Sequence, residues 1–172
     1  GYTEKLDGAL GICYRHPDGN GDILWTTRGS FDSEQGVAAQ DIWDGRYDTE
    51  ARRDLLNGPL LRYVTLLVEI IHPATQQIVR YDERNLVIIG ARNRESGYDY
   101  THTEMTEIAR ILNLPVVAQM HPDLLVERAK AGLVEGLVAR YRVNVCPLCD
   151  AWEATCPLCA GRQNPVYRLK FK

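Results

Sequence analysis

Glu4-Lys5-Leu6-Asp7-Gly8, close to the start of the chain, is the stretch on which the reading of the fold turns. A Lys-x-Asp-Gly tetrapeptide means little alone, because a lysine is more often a solvated surface charge. Its weight comes from its company, met in order along the chain. Downstream lie Thr26-Thr27-Arg28-Gly29-Ser30-Phe31, Val68-Glu69-Ile70, Glu135-Gly136-Leu137-Val138 and Lys170-Phe171-Lys172. Together these supply an amine, a guanidinium, two carboxylates and two terminal lysines, the groups that attack on a nucleotide α-phosphate requires.

Composition limits the alternatives. A chain of 172 residues holds one well-cored domain rather than two. A hydrophobic share of 45% and a charged share of 25% are ordinary for a globular protein. The net charge of −3 excludes a general basic coat for nucleic acid but leaves room for a local basic groove. No apolar run reaches the roughly 18 residues of a membrane span, and no signal-peptide pattern opens the chain. Four of the five cysteines fall in two Cys-x-x-Cys pairs, which favours a reducing, cytoplasmic setting and a metal over disulfides. The outermost candidate residues stand at positions 5 and 172, so flanking domains beyond the chain are expected.

Residues 5–14 and 22–28 read as two strands of a hairpin, joined by the turn-rich run from His16 to Gly21. Asp32 or Ser33 caps a helix through Asp44 with Val37, Ile42 and Trp43 among its apolar positions, and a second helix runs from Thr49 to the stop at Asn57-Gly58-Pro59. Arg62–Ile71, Gln77–Tyr81 and Asn85–Ala91 carry the β-branched and aromatic residues of strands. Met105, Ile108, Ala109 and Leu112 recur at helical spacing in 101–112, and Pro122 opens another short helix. Residues 134–144 and 166–171 close the chain as strands. Mixed hairpins and helices give an α+β class with an antiparallel sheet.

Taken in order, these motifs resemble the nucleotidyltransferase core of ATP-dependent RNA ligases, nearest to the bacteriophage single-strand type that mends broken tRNA. The resemblance runs from residue 4 to residue 172 and also takes in His72-Pro73 and the apolar run Asn85–Arg92. It implies that Lys5 attacks ATP and carries AMP as a lysyl phosphoramidate. AMP then passes to an RNA 5′-phosphate, and a 3′-hydroxyl displaces it to seal the strand. Glu69 would contact the ribose, Glu135 would bind Mg²⁺ or Mn²⁺, and Arg28 would hold ribose or phosphate. Glu4 would lie along the adenine edge, Asp7 would help position the loop or the metal, Gly8 would shape the loop at the nucleotide, and Ile89 or Ala91 would cover the base. Lys170 and Lys172, two apart on a strand, share a face from which they would neutralise the triphosphate. A lysine nucleophile must be neutral although its free amine titrates near 10.4, which neighbouring cations and partial burial can change.

Cys146-Pro147-Leu148-Cys149 and Cys156-Pro157-Leu158-Cys159 are identical knuckles. Each turns two thiolates toward one point, and the pair completes a tetrahedral four-cysteine zinc site with no open position, hence a structural one. It would be an insertion at 145–162 within a domain spanning 1–172, flanked by Trp152 and Arg162 as weaker RNA contacts; simple phage-type cores lack it. Cys13, on a strand, reads as a packed core residue. Two other functions compete with RNA ligation. A DNA ligase or GTP-dependent mRNA capping guanylyltransferase would share the lysine motif, although Glu69 lacks the Asp-Gly-Glu context usual in those relatives. A non-catalytic, zinc-stabilised RNA-binding module would not need every motif position filled.

Overall fold

The computed structural model describes residues 1–16, 18, 22–142 and 166–171, without the side chains of Pro59, Leu61, 141–142 and 166–171. In chain order the elements are β1 (Tyr2–Lys5), β2 (Ala9–Arg15), β3 (Ile23–Thr27), α1 (Glu34–Ile42), α2 (Glu50–Leu55), α3 (Leu61–Tyr63), β4 (Val64–Ile71), β5 (Asn85–Asn93), α4 (His102–Leu112), α5 (Pro122–Lys130), β6 (Gly136–Arg142) and β7 (Val166–Phe171). They form two antiparallel sheets, one of order β3-β2-β4-β5 and one of order β1-β6-β7. The α+β class expected from the sequence is the class observed.

Alternation along the strands explains the larger sheet. In β4, Val64, Leu66, Val68 and Ile70 are buried while the residues between them are partly exposed, the period-2 pattern of a sheet covered on one face. Their core joins Cys13, Trp25, Leu86 and Ile88 to Ala39 and Ile42 of α1, to Trp43 just after it, and to Met105, Ile108 and Leu112 of α4. Trp25 and Trp43 meet at 5.7 Å between ring centroids. Ser33 caps α1 by accepting from Gly36 N–H, and Thr101 caps α4 in a reciprocal box with Glu104.

Several local expectations give way to tertiary contacts. The run 5–14 is not one strand: Lys5 ends β1 in one sheet, Ala9 begins β2 in the other, and Leu6-Asp7-Gly8 crosses between them. Gln77–Tyr81 is not a strand, because the N–H groups of Gln77, Ile78 and Val79 all donate to the Asp7 carboxylate instead of to a ladder. Val37 is exposed, since Gly36, Ala38, Ala39 and Ile42 form the buried side of α1. The helix does not stop at Asp44 but widens into a π turn through Tyr47. Beyond α2 the chain kinks at Gly58 (φ −74°, ψ −138°), and Leu61–Tyr63 takes a helical turn before β4 starts.

The two sheets are stitched by residues 115–120. Ile88 N–H donates to Pro115 C=O at 2.8 Å and Val117 N–H to Ile88 C=O at 2.9 Å; Glu4 N–H then donates to Ala118 C=O at 3.1 Å and Met120 N–H to Tyr2 C=O at 3.2 Å. Arg140 of β6 also reaches across, donating to the Ile89 carbonyl of β5 and to Met105 Sδ at 3.5 Å. Cys13 is buried, and burial pushes its thiol well above the ordinary range.

Candidate active site

Lys5 and Glu135 meet where the smaller sheet ends. Lys5 is the last residue of β1 and pairs with Gly136 at the start of β6, so Glu135 stands beside it. Glu135 N–H donates to Lys5 C=O at 2.9 Å, and the side chains form an ion pair at 14% and 10% exposure. The amine and the carboxylate are therefore held together through both backbone and side chain, close to the surface but largely shielded from water.

Asp7 sits just past the strand end, buried at 3% exposure. Its Oδ2 accepts from Gln77 N–H at 2.9 Å, from Val79 N–H at 2.6 Å, and from Ile78 N–H between them. Its own N–H donates to the Tyr81 hydroxyl at 3.0 Å. Burial pulls the carboxyl upward, but the three amides and the Lys5 charge outweigh it and hold Asp7 below the usual carboxylate range. The loop 77–81 is thereby clamped over the crossover that carries Lys5. A Cβ on Gly8 would lie 2.5 Å from the Ile70 carbonyl oxygen and 3.0 Å from Glu69 Cγ. Only glycine lets the crossover press this closely on β4.

That contact brings Glu69 to the site. It occupies the partly exposed face of β4, paired with Leu10 in β2 and Val87 in β5. Tyr81 ties the cluster together: burial raises its hydroxyl pKa, and the charges of Asp7, Glu4 and Glu69 raise it further against the hydrogen bond from Asp7. Glu4 pairs with Arg128 at 2.8 Å. Arg28 is exposed one residue past Thr27, which pairs with Gly11; it therefore lies at the same end of the sheet as Glu69. Ile89 is partly exposed, whereas Ala91 lies in the core at 0% exposure, closed off from any base.

On β7, Lys170 pairs in register with Val138, whose partner in β1 is Thr3, so the Lys170 backbone is two strands from the Lys5 strand. Lys172 and Cys146, Cys149, Cys156 and Cys159 lie outside the described residues, as do Trp152 and Arg162. Among the described residues no group of three His, Cys, Asp or Glu side chains is gathered to hold a metal. Glu135 still fits Mg²⁺, which is commonly held by one or two carboxylates with substrate phosphates and water completing its shell. The sequence motifs did not flag Tyr81 or Arg128. Tyr81 was hidden in a run with strand composition, and Arg128 ends a helix like any C-terminal cation.

No family model and no curated protein matches the chain. Solved structures do. A structure named "Putative ATP-dependent DNA ligase from Aquifex aeolicus" aligns over 81% of this chain and 39% of its own, at 17% identity and a TM-score of 0.60. An archaeal ATP-dependent RNA ligase aligns over 80% and 38%, at 15% identity and 0.59. A Naegleria gruberi RNA ligase mutant with ATP and Mn aligns over 80% and 44%, at 20% identity and 0.51. The chain shares its fold with part of each of these ATP-dependent ligases. At such identities the likeness is one of fold, and the chain spans less than half the length of each of these proteins.

Proposed function

We propose that this chain is the adenylyl-transfer core of an ATP-dependent RNA ligase with Lys5 as its nucleophile. The observation that carries the proposal is the meeting of Lys5 and Glu135 at the crossover between two sheets, with Glu69 pressed against Gly8. The fold shared with ATP-dependent ligases adds support. Lys5 Nζ would give up a proton and attack the α-phosphorus of ATP; the bond to the bridging oxygen breaks, and pyrophosphate departs. AMP would then pass to an RNA 5′-phosphate, and a 3′-hydroxyl oxygen would displace it. Glu135 would hold Mg²⁺ or Mn²⁺, which supplies charge neutralisation at the phosphates.

The protein's own groups do the positioning. Asp7 and Tyr81 fix the crossover so that Lys5 leaves β1 in one direction. Glu69 and Arg28, at one end of the larger sheet, would meet the ribose and a phosphate. Glu4, held by Arg128, would lie along the adenine edge through its segment. Lys170 and Lys172 would neutralise the leaving pyrophosphate. The four paired cysteines would bind one structural zinc between β6 and β7, which suits a reducing cytoplasm. Metal analysis should find about one zinc per chain, lost in Cys149→Ser. Among the described residues no helix is long and apolar enough to cross a membrane.

The test is to incubate the protein with Mg²⁺ and α-labelled ATP or GTP, beside Lys5→Ala, and to read label on a denaturing gel. Label from ATP that disappears in Lys5→Ala is expected. Label from GTP alone would move the function to mRNA capping, and no label in the folded protein would sink the proposal. A DNA strand is the second reading, favoured by the likeness to the structure named as a DNA ligase. Sealing of 5′-phosphorylated RNA and DNA breaks, including a broken tRNA, separates the two.

A further inference from the structure

One cavity among the described residues lies away from Lys5. It is an open cleft of about 910 Å³ between the end of β2, the start of β4 and the kinked α2–α3 junction. Arg15, His16, Arg62 and Arg94 line it, with the neutral donors Tyr14, Asn57 and Thr65. No aspartate or glutamate is among its described lining residues, although the chain as a whole carries a charge of −3. Near its wall stand Asp18, whose carboxylate lies 3.5 Å from His16 Nδ1, and Asp32, whose charge acts on Tyr14. Both act on neighbours of the arginines and leave the basic character of the cleft in place.

Side-chain geometry adds to the charge. The Arg94 guanidinium donates to the Arg62 carbonyl, which fixes the position of its fork. Arg62 lies 5.3 Å from the centroid of the Tyr63 ring. Tyr14 makes an edge contact with Phe31 at 5.3 Å, and Phe31 is 69% exposed. Basic forks that match phosphate oxygens, neutral donors and an aromatic ring on the wall, here Tyr14 with Phe31 against it outside the lining, are components of a single-strand nucleic-acid groove. A small anion would need the charge but would have no use for the aromatic wall at Tyr14.

We infer that this cleft binds the phosphodiester backbone of the single-stranded RNA to be joined, at a distance from the chemical step. The inference rests on the ligase proposal for the identity of the polyanion. From the Ala9–Ile70 pair to Arg15 is about 20 Å at the ~3.3 Å rise of a strand. The cleft therefore holds nucleotides several positions removed from the 5′-phosphate that meets Lys5. It sets length and single-strand preference rather than chemistry.

The experiment measures binding of a fluorescein-labelled, 5′-phosphorylated single-stranded RNA to the full chain between about 50 and 200 mM salt, where phosphate contacts dominate affinity. Arg15→Gln/Arg62→Gln should weaken binding roughly tenfold or more and flatten the log–log salt slope by about 1.4, at ~0.7 for each phosphate no longer neutralised. Arg15→Lys/Arg62→Lys should keep most of the slope. Unchanged affinity and slope in the glutamine variant would overturn the inference, and so would a lysine variant as weak as the glutamine one. Should the double variant fail to fold, Arg15→Gln alone carries the test with half the slope change. Labelling of Lys5 by ATP is read separately. RNA bound through the cleft without labelling defeats the ligase proposal alone, and labelling with charge-independent RNA binding defeats the cleft alone.

Discussion

Asp7 shows how one side chain can organise a site without touching the chemistry. Its Oδ2 gathers three successive amides that would otherwise be partly buried and unpaired. Asp7→Asn keeps the shape and removes the charge. It should cost about 2 kcal/mol in urea unfolding at neutral pH, since hydrogen bonds to a charged acceptor are worth roughly twice neutral ones. The pH dependence follows from a folded-state pKa held below the ordinary 3.8. The contribution of the carboxylate is whole above 3.8 and is lost as pH falls through the lower folded value, because the unfolded chain takes up the proton first. The gap between wild type and Asp7→Asn should therefore close in strong acid, and a gap independent of pH would contradict the assignment. The sequence flagged Asp7 as a loop or metal residue; its partners, seventy residues away along the chain, were beyond any local pattern.

At the scale of elements, the helices were the most legible. Met105, Ile108, Ala109 and Leu112 form the buried stripe of α4 that their helical spacing predicts, and the structure caps that helix with a reciprocal box of Thr101 and Glu104. Thr101→Ala should cost about 1 kcal/mol and lower the melting temperature by roughly 3 °C in calorimetry. A change no larger than that at an exposed helix position would show that α4 is held by packing alone. Strands were less legible, and for a specific reason. The run Gln77–Tyr81 has strand composition, yet its donors are consumed by Asp7. Similarly, 5–14 has the apolar content of one strand but is divided where Gly8 meets the Ile70 carbonyl. Composition sets what a segment can do, and pairing partners set what it does.

At the scale of the molecule, Arg140 and the segment 115–120 join sheets whose hydrogen-bond ladders are otherwise separate. Lys5 and Glu135 lie in the smaller sheet and its edge, while Glu69 lies in the larger and Arg28 just past the end of its β3. The site thus depends on that joint. Arg140→Met keeps the aliphatic stem and removes the donor to Ile89, a hydrogen bond from a charged group worth about 1.5–3 kcal/mol. Hydrogen exchange should rise in β1 and β6 more than in β2 and β4. Equal protection in all four strands would show that residues 115–120 alone hold the sheets together.

The sequence by itself determined the α+β class, the hairpin of β2 and β3, the capped helices and the order of the charged motifs, because these rest on periodicity, caps and turn formers within a few residues. It also set Lys5 beside Asp7 and Gly8. Only the tertiary structure decided that Lys5 pairs with Glu135, that Asp7 clamps the loop at 77–79, that Tyr81 joins Glu4 and Glu69 at one place, and that three arginines line a cleft at the far end of the sheet. Each of these joins residues tens of positions apart. Such contacts are selected by the packing of two sheets and the crossover between them, which no local pattern of residues encodes.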